Sequence, residues 1–197
     1  QTPAISERQN AAQHTQTLFA WAAKACATPL PATIRRRAAT ILADDMGAMV
    51  AGSLEPQVTQ ACEAFVRSSS PAQEATVLAP GAAQVDRYAA ACANGMAITW
   101  CELDEGFRNA ACHGGAYTLP ALLAEAEACN AGVEQVLRAV AVAYEVTTRF
   151  ALAYPFPSFY VHPHAAFATL GAAVAVSLVR GHDAQRLQDC VTGAASM

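Results

Sequence analysis

The run Ala165-Ala166-Phe167-Ala168-Thr169-Leu170-Gly171-Ala172-Ala173-Val174-Ala175-Val176-Ser177-Leu178-Val179 is the longest apolar stretch of the chain. A membrane span requires about 20 apolar residues. This run is shorter and mostly alanine, so it predicts a helix buried inside a protein rather than in lipid. Gly181 follows as a C′ stop and Asp183 as the N-cap of a last helix, Asp183–Ala195. Upstream, helical patterns cover Ala116–Cys129 and Glu134–Leu152, joined by Asn130-Ala131-Gly132, and another covers about Val85–Trp100. Pro56 opens a helix through Val58, Cys62 and Phe65 that Ser68-Ser69-Ser70-Pro71 stops. Thr33 can cap a helix whose apolar positions Ile34, Ala38, Ile41, Leu42 and Met49 recur until Gly52. Ser6 can cap a first helix that ends before Pro29 and Pro31. Thr76-Val77-Leu78 is too short for a core strand, and Pro80-Gly81 turns the chain. The expectation is an all-α bundle of roughly seven to eight helices, one domain over residues 1–197, without linker or repeat.

The 197 residues are 54% hydrophobic and 14% charged, too apolar for a disordered chain. A net charge of −4 leaves no basic footprint, and Arg35-Arg36-Arg37 is the only cluster of cations. Nucleic acid and membrane surfaces are therefore not expected partners. The first ten residues lack a basic-then-apolar signal architecture and an initiator Met. Seven cysteines, with no CxxC pair and no regular spacing, suit buried free thiols in a reducing cytoplasm.

Two loops concentrate titratable groups. The first, Glu102 to Gly115, carries Glu102, Asp104, Glu105, Arg108 and His113 and ends in Gly114-Gly115, whose N–H groups open a helix. It reads either as a solvated loop of acidic caps or as an anion site. The second follows an aromatic and proline-rich approach and carries His162-Pro163-His164. Histidines at i, i+2 in extended backbone point the same way and can form a metal pair, or one acid/base group with a structural neighbour. His14 and His182 lie in ordinary helix-end contexts. Asp44-Asp45 are adjacent on a helix and face different directions. Cys112 beside His113 is a poor nucleophile–base pair, because such groups usually meet in space.

In their order, these segments resemble the MmgE/PrpD family of 2-methylcitrate dehydratases, cis-aconitate decarboxylases and iminodisuccinate epimerases. The resemblance runs from Leu42-Ala43-Asp44-Asp45-Met46-Gly47 and Ala51-Gly52-Ser53 through Ala93-Asn94-Gly95 and Glu102-Leu103-Asp104-Glu105 to His113. It continues in Tyr144-Glu145-Val146-Thr147-Thr148-Arg149 and in His162-Pro163-His164 with Thr169-Leu170-Gly171-Ala172-Ala173. The chain departs from the family pattern in its Glu-Leu-Asp-Glu-Gly stretch and in the glycine after His113. The resemblance implies a mostly helical catalytic domain, a homodimer, and no metal or organic cofactor. It also implies action on small di- or tricarboxylates by dehydration, decarboxylation or epimerisation, with Asp104, His113 and His162 in the active site. Family members run further, into a smaller α/β domain and a catalytic lysine. The only lysine here is Lys24, so residues 1–197 are expected to be an incomplete helical domain.

Removing a proton beside a carboxylate requires a base titrating near neutrality, an acid for the leaving group and cations or N–H groups for the carboxylates. His113 and His162 are the expected acid/base pair, with Asp104 orienting one imidazole. Arg108, Gly114 and His164 are expected substrate contacts, and Arg149 is a weaker anchor. The rival readings are a metal-dependent hydrolase using the His-x-His loop and an inactive helical interaction domain.

Overall fold

A computed structural model describes residues 5–155 and 162–196. Among them are eight α-helices: α1 Ile5–Cys26, α2 Ala32–Ser53, α3 Pro56–Ser68, α4 Arg87–Trp100, α5 Gly114–Ala128, α6 Val133–Ala153, α7 Pro163–Val179 and α8 Ala184–Ala195. A two-residue hairpin, β1 Ala75–Thr76 and β2 Gln84–Val85, pairs antiparallel with Ala75 opposite Val85. The all-α expectation holds, and the buried reading of 165–179 holds for one face of its helix, Phe167, Gly171, Val174, Ala175 and Ser177 to Val179, while Ala165 and Thr169 are exposed. No helix among the described residues is long and apolar enough to cross a membrane.

Several helix starts differ from the sequence reading. The first helix is already running at Ile5, so Ser6 is not its cap. Pro31, not Thr33, precedes α2, and no side chain caps it. Proline at that junction fixes φ at about −60° and favours the turn into the helix, but it offers no side-chain acceptor to the first N–H groups. Val85 lies in the hairpin, and α4 begins after Asp86, whose carboxylate accepts from the N–H groups of Tyr88 and Ala89. The aromatic and proline approach to His162 falls on residues 156–161, outside the described part of the chain.

The core gathers Phe19, Met49, Ile98, Leu119, Leu122, Val140, Val146, Val174 and Leu187, all fully buried. Small residues set how closely its helices approach. A Cβ on Gly171 of α7 would stand 2.7 Å from the Tyr117 carbonyl oxygen of α5. One on Gly52 of α2 would stand 2.0 Å from the Ala97 carbonyl oxygen of α4, where the neighbour is backbone and cannot turn aside. Gly52→Ala is therefore expected to force α2 and α4 apart and to cost about 1–3 kcal/mol. A drop in the urea midpoint at unchanged m-value checks this.

A second, smaller core holds the hairpin against α3 and α4 through Val58, Cys62, Val77, Val85 and Ala93. There the Asn94 side chain accepts from the Leu78 N–H at 2.8 Å and donates to the Thr76 carbonyl at 3.0 Å, so an α4 side chain completes the hairpin's hydrogen bonding. The Glu125 side chain, 5% exposed, accepts from Arg87 on α4 and from Arg180 just beyond α7. Of the seven free cysteines, Cys26, Cys62 and Cys112 are buried, whereas Cys92, Cys129 and Cys190 are exposed. The expectation of uniformly buried thiols is corrected accordingly.

Candidate active site

The chain leaves α4 at Cys101, passes Glu102 in a left-handed conformation (φ +52°), and doubles back where the Phe107 N–H donates to the Cys112 carbonyl at 2.8 Å. That fold-back returns His113 to the N-cap of α5. Glu105 anchors the loop to three helices at once. Its N–H donates to Asp45 Oδ1 of α2 at 3.2 Å, and its Oε1 accepts from the Gly115 N–H of α5 at 2.5 Å. Its Oε2 accepts from the Tyr144 hydroxyl of α6 at 2.7 Å. Glu105 is thus spent on internal bonds, and the Gly115 N–H that the sequence left open to a ligand is already taken. Both glycines are needed for close approach. A Cβ on Gly114 would meet the Tyr144 ring at 2.8 Å, and one on Gly115 would lie 1.8 Å from Asp45 Oδ2. Gly114 itself is buried.

Behind His113 lies Asp104, its side chain only 1% exposed, with Oδ2 2.9 Å from His113 Nδ1. The two are at ion-pair distance but not aligned as a hydrogen bond, and neither atom has another partner. His113 is 30% exposed, so one side of its ring faces the buried acid while part of it reaches solvent. His164 stands edge-on to His113 with ring centroids 5.1 Å apart, and His162 stands edge-on to His164 at 4.3 Å. The two loops do bring Asp104, His113, His162 and His164 together.

The second loop does so by a different geometry from the one expected. His162 is the N-cap of α7, its Nδ1 accepting from the His164 N–H at 3.3 Å, while His164 occupies the helix's first turn. The two rings are at 86° to one another instead of pointing the same way. Proline at N1 forces this, because it starts the helix immediately after His162. No group of three or more His, Cys, Asp or Glu side chains among the described residues is arranged to hold a metal ion.

Arg108 is not brought to the histidines. It is exposed and lines a cleft of about 380 Å³ with Arg37, Phe107 and Tyr144. Arg149 is ion-paired with Glu145, one helical turn away, at 2.6 Å on the surface. Larger clefts of about 500 and 530 Å³ flank α1, lined by Trp21 and Pro29 in one case and by Phe19 and Phe167 in the other. Neither is lined by the histidines, and both are mainly apolar, unsuited to a polyanion.

The acids under the loop are held away from their usual behaviour. Burial pushes the Asp45 carboxyl up to about 7 against the pull of the Glu105 N–H, with Glu105, Asp104 and Asp44 adding like charge. Burial also raises Glu105, opposed by the Tyr144 hydroxyl and the Gly115 N–H. His164 is lowered, first by burial and then by the neighbouring His162 and His113. Tyr117 is not singled out by the sequence, Asp45 is weighed there only as half of an Asp44-Asp45 pair and set aside, and Tyr144 enters only within a segment of the family resemblance. For Asp45 a signal existed: it shares helical spacing with Ala38, Ala48 and Gly52, all buried. An acid on an apolar stripe is a feature to stop at.

A helical bundle that presents three imidazoles at two helix starts, one of them backed by a buried carboxylate, is equipped for moving protons. The model of the MmgE/PrpD N-terminal domain matches residues 16–197, and the chain belongs to the MmgE/PrpD family. No curated protein matches the chain.

Proposed function

We propose that this protein is a cofactor-independent lyase for small di- or tricarboxylates, acting by proton abstraction next to a carboxylate. The observation that carries this reading is the contact between buried Asp104 and His113 Nδ1 at 2.9 Å. A carboxylate on the Nδ1 side favours the hydrogen there and leaves Nε2 as the base. His162 has the opposite bias, since its Nδ1 accepts a backbone N–H and its hydrogen belongs on Nε2. His113 is then the base and His162 the donor. In a dehydration, His113 Nε2 takes the proton from the carbon beside the carboxylate as the C=C bond forms. The C–O bond breaks with the departing hydroxyl held by His162 Nε2–H, and the proton taken by His113 passes to that hydroxyl, which leaves as water while both imidazoles end neutral.

Substrate charge needs compensation, and the acidic loop does not provide it. The dipoles of α5 and α7 contribute part of it, since His113 and His162 are their N-caps and the contact of His113 with His164 brings the two ends together. The Gly115 and His164 N–H groups are already taken by Glu105 and His162, so the direct donors to the substrate are side chains, His164 among them. By this reading Arg108 is no part of the site, and His164 is a substrate contact. A homodimer fits the family's habit and belongs to the same proposal.

Asp104→Asn tests the assignment in the natural full-length polypeptide. It keeps the shape but removes the charge that orients His113. The expected result is a kcat lower by about 10-fold or more, with the limb of the pH–rate profile that reports His113 displaced. A change confined to KM would make Asp104 a binding residue and remove its orienting role.

A further inference from the structure

Tyr117 of α5 is buried, 3% exposed, and its hydroxyl lies 2.9 Å from His164 Nδ1 of α7. The rings stand 5.1 Å apart at 70°. The approach is built into the fold at Gly171, where any side chain would collide with the Tyr117 backbone and its Cβ. A buried phenol needs an acceptor for its hydrogen. The His113 backbone N–H donates to this hydroxyl's oxygen, and the acceptor found for its hydrogen among the described residues is His164 Nδ1. Were Nδ1 to carry the hydrogen, it would donate to the phenol oxygen and leave the phenol's own hydrogen buried without an acceptor. Nδ1 is therefore bare, and the neutral ring carries its hydrogen on Nε2. The imidazolium form would put a hydrogen on Nδ1 and meet the same conflict. Around the ring, burial, His162 and His113 also oppose a charge, while Asp104 and Glu102 favour it more weakly.

We propose that Tyr117 is a positioning residue that fixes His164 as the neutral Nε2–H tautomer, making it a permanent hydrogen-bond donor to a carboxylate oxygen and not a second base. The word carboxylate rests on the proton-abstraction reading above. The tautomer does not, because it is a property of the resting protein. Three neighbouring imidazoles then have separate tasks. His113 takes the proton and returns it to the leaving group, His162 holds the departing hydroxyl, and His164 holds a carboxylate oxygen, the last two as Nε2–H donors that do not exchange protons. Tyr117 enforces that division from the other side of the α5–α7 contact.

Imidazole ¹⁵N spectra of the substrate-free protein test the tautomer directly. His164 is expected to show a pyridine-type Nδ1 and a protonated Nε2 across pH 6–8, a window set by histidine's ordinary pKa near 6.5. In Tyr117→Phe the two tautomers are expected to mix, and the ring to become protonated at higher pH than in the parent. A hydrogen on Nδ1 in the parent overturns the proposal whether or not the variant folds. An unchanged Nε2–H population in a folded Tyr117→Phe overturns it as well. With turnover of a tricarboxylate as the second readout, His164→Gln keeps a donor near the position of Nε2. Its KM is expected to stay within a few-fold of the parent, while His164→Ala raises KM by roughly 10-fold, about one hydrogen bond to a charged group. Equal KM values for Gln and Ala would remove the donor role. Complete absence of turnover in every form, with the tautomer as described, would overturn the lyase reading and the assigned carboxylate partner while leaving the Tyr117 lock intact.

Discussion

Replacing His113 by alanine in the full-length polypeptide is expected to lower kcat by about 10²–10⁴-fold, equivalent to roughly 3–5 kcal/mol of transition-state stabilisation. The helix start should survive the change, because His113 occupies the N-cap of α5 without donating or accepting a side-chain cap bond. Alanine does remove the edge-on contact with His164 and the partner of the buried Asp104. His162→Ala makes the informative contrast. Its kinetic loss is expected to be of the same order, but it also deletes the acceptor for the His164 N–H. A stability loss of about 1 kcal/mol, the usual worth of a cap, accompanies it. Kinetics with citrate-like and aconitate-like substrates, read beside thermal melts, check both. Near-normal turnover in either variant takes that histidine out of the mechanism.

Asp45→Asn is expected to stabilise the protein at pH 8 by up to about 4 kcal/mol and at pH 5 by only about a third of that. The sign follows from where the proton resides. Asp45 titrates near 7 in the folded chain because it is buried among other acids, whereas an unfolded chain binds that proton only below about 4. Between those values the native state holds the extra proton, so stability falls as pH rises and the full penalty stands above 7. Asparagine retains the acceptor for the Glu105 N–H and never ionises. Denaturant midpoints of parent and variant at the two pH values measure the difference. A gain of the same size at both would mean that ionisation of Asp45 is not its source.

Much of the fold was legible because alanine-rich helices announce themselves through spacing and through their Pro and Gly punctuation. The misread starts lie where a junction fits more than one role on paper. At α2 Pro31 and not Thr33 precedes the helix, and at α7 Pro163 opens the helix directly after His162, whose side chain caps it. At the site, Asp104, His113, His162 and His164 were identified individually, since each is a titratable residue in a loop. Their partners were not. Asp45, Tyr117 and Tyr144 sit within regular helices, and their importance comes from which other helix faces them. A one-dimensional pattern carries that only as an anomaly, such as an acid on the apolar stripe of α2. Arg108 shows the converse error: near His113 in sequence, it is turned into a different cleft by the fold-back between Phe107 and Cys112.

The three bonds of Glu105 have a consequence for the order in which the molecule assembles. Asp45, Gly115 and Tyr144 come from separate helices, 60 residues before Glu105, 10 after it and 39 after it. Helix formation is local and fast, but closing loops of that length awaits the docking of α2 and α6 on α5. The segment that bears Asp104 and His113 is therefore expected to be fixed late in folding, which φ-values near zero at Glu105 would show. Contacts made after the rate-limiting barrier govern how fast a protein comes apart and scarcely affect how fast it forms. Selection can therefore rework this loop for a new substrate at little cost to folding speed, and the lifetime of the native state bears the change.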